Sequence, residues 1–431
     1  MKMFGIIIGT VFLLATSVFA AQQPNILLVV IDTLRYDALH CDGNDAVQTP
    51  TIDALAAAGT RFAHAYVNAS WTRPSVASIL SGDFPHRHGV IDRGGRLTAT
   101  THTIPGELRR NAGYRTAIIS ANPNISTNFG FGFPFDEFLS FGMVTMHIPT
   151  TPANVVIDRA VKLIPSLTSP WFLFVFLVDP HEPYTPPAPY DTMYDQPYPG
   201  APNGQLVGNK FITDPADIPN ARDLRHYRAL YDGEVAFTDH ELARLLTVID
   251  STSTLVVLTS DHGQGLWQHM QPFHGYTLYD SLIHVPLILR GPGIRVRRVV
   301  SVRVQSVDLY PTLLHFVGVP VEPGKSGRDL LHLAGPTPPI LAEEKLDGFD
   351  LASVIVGDQK LILNRKTKAT ERYDLRADPG ERHPVPAAAP TALLDTLAQL
   401  TGQAVPPSAT QPACDEHTEA QLKALGYGGC R

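Results

Sequence analysis

"PNILLVVID", residues 24–32, is a continuous apolar run closed by an acid. A strand buried on both faces reads this way, because both alternating sets of side chains must be apolar. Similar runs follow: "GYRTAIIS" (113–120), "WFLFVFLVD" (171–179), "TLVVLTSD" (254–261) and "VPLILRG" (285–291). Helical stretches lie among them. These are "TPTIDALAAAG" (49–59), with Thr51 as N-cap and Gly59 as C-cap, "ANVVIDRAVKLI" (153–164) and "GEVAFTDHELARLLTVID" (233–250). Strands alternating with helices predict an α/β fold, a mainly parallel sheet sandwiched by helices. In such sheets ligands bind beyond the carboxyl ends of the strands. Asp32, Asp179 and Asp261 all stand there. One acid there can equally cap a helix; three, each beside other reactive groups, point to a site.

The chain has 431 residues, 44% hydrophobic and 17% charged, enough apolar material for one large α/β domain with an appended piece. A net charge of -7 argues against general nucleic-acid or anionic-membrane binding but leaves room for a local cationic pocket. The opening "MKMFGIIIGTVFLLATSVFA" (1–20) has a basic start, an apolar stretch and small residues at Val18 and Ala20. It reads as a signal peptide cleaved after Ala20, which predicts a periplasmic or secreted protein with no stable membrane insertion. An uncleaved anchor is the competing reading. Of three cysteines, Cys414 and Cys430 can pair in an oxidising compartment and leave Cys41 alone; three free thiols are the alternative. Nothing in the sequence sets an oligomeric state.

Residues 180–222 are rich in Pro, Tyr and Asp and read as a long loop covering a site, with Tyr184, Tyr190, Tyr194 and Tyr198 available to line a pocket. Within "LASVIVGDQKLILNRKTKATERYDL" (351–375) short β-like runs alternate with turn residues, predicting a small antiparallel sheet followed by a terminal helix. The expected organisation is a signal peptide (1–20), a catalytic α/β domain (21–335) and a C-terminal α+β subdomain (336–431).

Two stretches carry the chemistry. In "TSDHGQGLWQHMQPFHG" (259–275), Asp261 and His262 stand at a strand end, and His269 and His274 follow in one loop. Adjacent residues on a strand face opposite ways, so a turn, eased by Gly263, must bring Asp261 and His262 to one ion. "SWTRPSVASILSG" (70–82) resembles a nucleophile loop with Thr72 at the reactive position. Asp32, Thr72, Asp261 and His262 together offer three oxygens and one nitrogen to one divalent cation. Zn or Mn suits that mixed set better than Ca, which remains an option. The cation makes the Thr72 hydroxyl a usable nucleophile for attack at phosphorus or sulfur.

In order along the chain, "PNILLVVIDTLRYD", "TPTIDALAAAGTRFAHAYVNAS", "SGDFPHRHGV", "SDHGQ", "HGYTLYDSLIHVPLILRGPG", "SVDLYPTLLHFVGVP" and "ERYDLRADPGE" resemble segments of the sulfatase family, within the alkaline phosphatase superfamily. The resemblance covers almost the whole mature chain. It implies the alkaline-phosphatase-like fold with its C-terminal subdomain, and ester hydrolysis or transfer through a covalent intermediate. The departures set the subtype. Typical sulfatases carry C-x-P-S-R or S-x-P-S-R, whose first residue is oxidised to formylglycine; here the segment is Thr72-Arg73-Pro74-Ser75-Val76. Oxidised threonine is a ketone, not an aldehyde, so no formylglycine is expected. Thr33 replaces the usual second aspartate, and "SANPN" (120–124) replaces a G-K-W-H segment.

The remainder resembles threonine-nucleophile members: phosphodiesterases, in part phosphonate monoester hydrolases, and phosphoglycerol or phosphoethanolamine transferases. His181, in "DPHEPY", resembles a family histidine near the leaving group, and His274 stands where many sulfatases have a lysine; either can protonate the departing oxygen or stabilise its charge. Arg73, Asn122 and His269 are candidate substrate contacts; Asn122 can equally be a turn residue before Pro123, and Arg73 a solvated neighbour. A second metal held by Asp179, His181 and His274 is the alternative to a single ion. The leading expectation is a metal-dependent hydrolase of phosphodiesters or phosphonate monoesters acting on a small-molecule, glycan or lipid ester. Sulfate-ester hydrolysis, group transfer and a catalytically dead binding protein are the competing readings.

Overall fold

The computed structural model describes residues 23–141, 151–198, 219–386, 389–402, 418–420 and 422. The expected signal peptide, Cys414, Cys430 and part of the 180–222 loop lie outside them. Eight strands form the main sheet: β1 (Asn25–Ile31), β2 (Thr60–Phe62), β3 (Arg115–Ser120), β4 (Glu137–Ser140), β5 (Trp171–Leu177), β6 (Thr254–Ser260), β7 (Leu287–Arg290) and β8 (Arg298–Val300). Their order is β8-β2-β7-β6-β1-β5-β3-β4. Only β7 runs against the others. It follows β6 through a loop that stays at one end of the sheet, so it returns antiparallel. Pro286, which lacks an N–H, separates β7 from His284–Val285, which joins a small second sheet instead.

The opening run is central, as its pattern requires. β1 pairs in parallel with β5 on one side and β6 on the other. Ile26, Leu28 and Val30 pack into one layer with α2 (Thr72–Ser81), α3 (Ile104–Ala112) and α6 (Leu309–Phe316). Leu27, Val29 and Ile31 pack into the other with α1 (Pro50–Ala57), α4 (Ala153–Leu163) and α5 (Ala221–Thr247). Sequential residues thus serve opposite faces, and both faces are dry.

Two helix boundaries differ from the sequence reading. α1 begins at Pro50, with Thr49 before it, while the backbone of Thr51 donates to the Asp239 carboxylate. α5 begins twelve residues earlier than the apolar pattern suggests. Its first turns are rich in Arg and Asp, and the Asn220 side chain caps them by accepting from the backbone of Arg222 and Asp223. Gly233, which looked like a helix start, is interior; a Cβ there would lie 2.5 Å from the Tyr190 carbonyl oxygen.

The C-terminal sheet is antiparallel and sequential: β9 (Ile340–Glu344), β10 (Leu351–Val356), β11 (Gln359–Asn364) and β12 (Thr370–Asp374). It packs with Phe84, Val307 and helix α7 (Thr391–Thr401). Lys360, fully buried, pins it to the main body through Asp280 at 2.7 Å, and pairs with Glu381 of the same C-terminal part at 2.7 Å. No helix among the described residues is long and apolar enough to cross a membrane.

Candidate active site

The site forms where β1 and β6 end. Asp32 follows β1 and Asp261 follows β6, two neighbouring parallel strands, so their carboxylates converge. His262 Nε2 lies 3.5 Å from Asp32 Oδ1 and 3.3 Å from Asp261 Oδ2. Thr72 Oγ1 lies 3.3 Å from the same nitrogen and is bonded to the Asp261 carboxylate. All four residues are fully buried.

Thr72 is the first residue of α2, so its hydroxyl stands at the positive end of a helix dipole. The serines around it are committed elsewhere. Ser70 donates to Glu344 at 2.6 Å, Ser75 to the Asp261 carbonyl at 2.5 Å, and Ser78 pairs with His88 at 3.0 Å. Thr33, beside Asp32, has φ 55, a left-handed conformation that costs a β-branched residue about 1–3 kcal/mol. That backbone supplies an N–H to both Asp32 and Asp261, which ties the strain to the site.

Asp32 Oδ1 and Asp261 Oδ2 have no hydrogen-bond donor. Burial, and then the charge of Asp261, push the Asp32 carboxyl well above the usual range; burial pushes Asp261 up to about 7 and His262 down to about 3. Two orphaned carboxylate oxygens, a neutral imidazole and a hydroxyl fit a divalent cation. The neighbouring polar groups support this geometry. His262 Nδ1 donates to the Gly263 carbonyl at 2.9 Å, which leaves the Nε2 lone pair facing the carboxylates. Asn122 Nδ2 donates to Asp32 Oδ2 at 2.7 Å.

Gly263 is needed for space rather than for a turn. A Cβ there would lie 2.1 Å from the Ser281 carbonyl oxygen. Beyond it, Arg35 donates to the Gln264 carbonyl at 2.7 Å, holding the loop down.

His181 and His274 adjoin this set, with ring centroids 4.9 Å apart and His274 4.4 Å from His262. His181 Nδ1 donates to the Glu182 carbonyl at 2.7 Å, and His181 Nε2 is buried without a partner. Gln264 organises the rest. Its Nε2 donates to Glu182 Oε2 at 2.5 Å and to Tyr184 at 2.7 Å, and its Oε1 accepts from His274 Nδ1 at 2.9 Å. The acceptor-only carboxylate of Glu182 fixes which way this amide points.

Several sequence-based assignments are corrected. Asp179 does not join His181 and His274: its carboxylate accepts from Ala153 N at 2.6 Å, at the start of α4. Glu182 is the acid that joins them, and the Gln264 amide fills the space between Glu182 and His274. Arg73 is not a phosphate fork. It is buried, stacked 3.3 Å over Phe129, and donates to the Arg93 carbonyl at 2.5 Å and to Asn124 at 3.0 Å. Its place next to Pro74 on the helix side of the loop turns it into the core. Asn122 orients Asp32, and its Oδ1 also accepts from Asn124 N at 2.8 Å, so the turn reading holds too. His269 stacks on Tyr279 at 3.8 Å, near Glu371 and Lys360, because its own left-handed backbone carries it towards the C-terminal sheet. Of the four tyrosines only Tyr184 touches the site; Tyr190, Tyr194 and Tyr198 bind Phe237, Gln48 and Arg222. Glu182, Gln264 and Arg35 were missed. "DPHEPY" and "SDHGQ" hold the first two, but nothing in their spacing says that an amide bridges them.

A model of the Sulfatase family matches residues 24–319. The chain therefore belongs to the sulfatase family. Among curated proteins it resembles Arylsulfatase K of Canis lupus familiaris, 27% identical over 380 residues, covering 72% of this chain and 66% of that protein. It thus spans just under two thirds of that relative's length. It also resembles the Uncharacterized sulfatase YidJ of Escherichia coli (strain K12), 26% identical over 420 residues, covering 84% of this chain and 83% of that protein. Among solved structures it shares its fold with the phosphonate monoester hydrolase of Agrobacterium radiobacter (TM-score 0.74, 21% identity, 88% of this chain and 96% of that one). A protein solved with its substrate D-glucosamine-2-N,6-O-disulfate is equally similar (TM-score 0.74, 21% identity, 90% and 100%).

Proposed function

We propose that this sulfatase-family hydrolase cleaves phosphodiesters or phosphonate monoesters through a covalent Thr72 adduct. The observation that carries the reading is Thr72 itself: a hydroxyl bonded to Asp261, 3.3 Å from His262, at a helix N-terminus. A bound divalent cation lowers that hydroxyl's pKa and offsets charge on the substrate oxygens. Asp32, Asp261 and His262, with Thr72, are the residues that hold it.

In the first step Thr72 Oγ1 forms a bond to phosphorus while the bond to the leaving oxygen breaks. The Thr72 proton leaves towards Asp261. His181 or His274 gives the departing oxygen a proton from Nε2, since each ring keeps Nδ1 on a carbonyl oxygen. In the second step water adds to phosphorus, giving its proton to the same imidazole, and the bond to Thr72 breaks as its oxygen recovers the proton from Asp261. Sulfate release from formylglycine proceeds instead by breakdown of a hemiacetal, a route that a sulfated threonine lacks.

The likeness to Arylsulfatase K favours a second reading, sulfate-ester hydrolysis. Turnover of p-nitrophenyl sulfate, p-nitrophenyl phenylphosphonate and bis-p-nitrophenyl phosphate by mature protein with added Mn or Zn separates the two. Preference for the phosphorus esters by orders of magnitude supports the proposal; preference for the sulfate ester overturns it. Cleavage of residues 1–20 on export, giving a periplasmic or secreted enzyme, belongs to the same proposal.

A further inference from the structure

At the end of the sheet opposite the active site, the chain turns from β7 into β8 through "RGPGIRVRRVV" (290–300). The placement follows from contacts: a Cβ on Gly291 would lie 2.7 Å from the Thr254 carbonyl oxygen, at the start of β6, whereas Asp261 follows the end of β6. β8 is an edge strand, bonded only to β2. Arg295 and Arg297 are exposed, and Arg290 and Arg298 are half-buried. None of the four makes an ion pair among the described residues, whereas the nearby Arg61 and Arg303 are held by Asp42 and Asp358. On a chain of net charge -7 this is a concentrated, uncompensated positive patch.

Apolar side chains are interleaved with it. Val296 is 67% exposed, the highest value among the exposed large hydrophobics of the described residues, and Val299 is 53% exposed. The turn does not hang loose: Ile294 packs on the core, and Thr60 donates to the Arg295 carbonyl at 2.7 Å. Arg297 is held at φ 52, a left-handed conformation uncommon for arginine.

We propose that this turn and edge strand form a peripheral docking surface for an anionic lipid membrane. Arginines alone would suit any polyanion. Projecting valines between them suit a surface with an apolar layer beneath its charged headgroups. An enzyme docked this way presents Thr72 away from the membrane. This inference is independent of the chemistry at Thr72.

The test is co-sedimentation of the mature chain, from residue 21, with vesicles of phosphatidylglycerol and phosphatidylcholine, against phosphatidylcholine alone. Binding is expected only to the anionic vesicles and should fade from about 0.05 M to about 0.5 M salt. Each arginine removed should weaken it about fivefold, so Arg295→Glu with Arg297→Glu should lower it more than tenfold, and Val296→Ser by a few-fold. Turnover of a soluble ester should stay unchanged in these variants, which shows that they fold. Absence of vesicle binding by the parent protein, or equal binding by the double reversal, overturns the proposal; in that case the arginines only guard an edge strand against pairing. Binding to heparin without binding to vesicles overturns it in favour of a sulfated polymer.

Discussion

Two groups of side chains stand side by side at the end of the sheet, and they are prepared for different tasks. In the Asp32–Asp261–His262 group two carboxylate oxygens point at nothing and one imidazole nitrogen faces them. In the His181–Glu182–His274 group the acid already accepts from the Gln264 amide at 2.5 Å, and the Oε1 of that amide accepts a hydrogen bond from His274 Nδ1. Both groups satisfy the crude rule for a metal site, three ligating residues close together. Only the first leaves fully buried carboxylate oxygens without a hydrogen-bond donor, which is costly. The lesson is that hydrogen-bond satisfaction, more than ligand identity, distinguishes these two groups.

The largest expected effect is at Thr72. Thr72→Ala should lower turnover by at least about 10⁴-fold, as loss of a nucleophile does, while thermal unfolding stays close to the parent's. Near-normal activity would remove Thr72 from the mechanism. Next, elemental analysis should find one divalent ion per chain, lost in His262→Ala and kept in His274→Ala. Two ions per chain would break the distinction between the groups. Gln264→Leu should lower kcat by about 10–100-fold without losing the ion, because it removes the partner that orients His274; an unchanged kcat would show that the amide only packs.

Proton competition gives a subtler test. In the metal-free protein the folded-state pKa of Asp261 lies above its unfolded value, at about 7. Folding therefore binds a proton between the two values, so this group's stabilising share is present at low pH and is lost as pH rises towards 7. Metal binding must displace that proton. Apparent metal affinity should rise between about pH 5 and about pH 7, and added metal should raise the unfolding temperature more at the upper end. A flat profile would contradict the burial of these carboxylates and the orphaned oxygen that each keeps. The smallest effect is predicted at His269, stacked on Tyr279 beside the C-terminal sheet: His269→Ala should change kcat/KM by less than about twofold.

Much of this was legible in the sequence, and the residues show why. "PNILLVVID" and "TLVVLTSD" declare two buried parallel strands, and because strand ends are also where chains turn, Asp32 and Asp261 follow almost automatically. Thr72 was singled out because "SWTRPSVASILSG" resembles a nucleophile loop with Thr72 at the reactive position. Asp179 was misread because the same position serves equally as a helix cap, and that is the task it performs for α4. Arg73 was misread because its neighbour in sequence is the proposed nucleophile, while the helix turns it inward onto Phe129. Glu182 and Gln264 were missed because their contact spans 82 residues and depends on how two loops pack.

Trapping the adduct tests the central claim most directly. Mature enzyme with Mn or Zn is mixed with p-nitrophenyl phenylphosphonate, quenched in acid during turnover, digested and analysed by mass spectrometry. The account predicts a phenylphosphonyl group on the peptide that contains Thr72, located at that residue by fragmentation and absent from Thr72→Ala. Steady turnover with an unmodified Thr72, or an adduct on another residue, would contradict it.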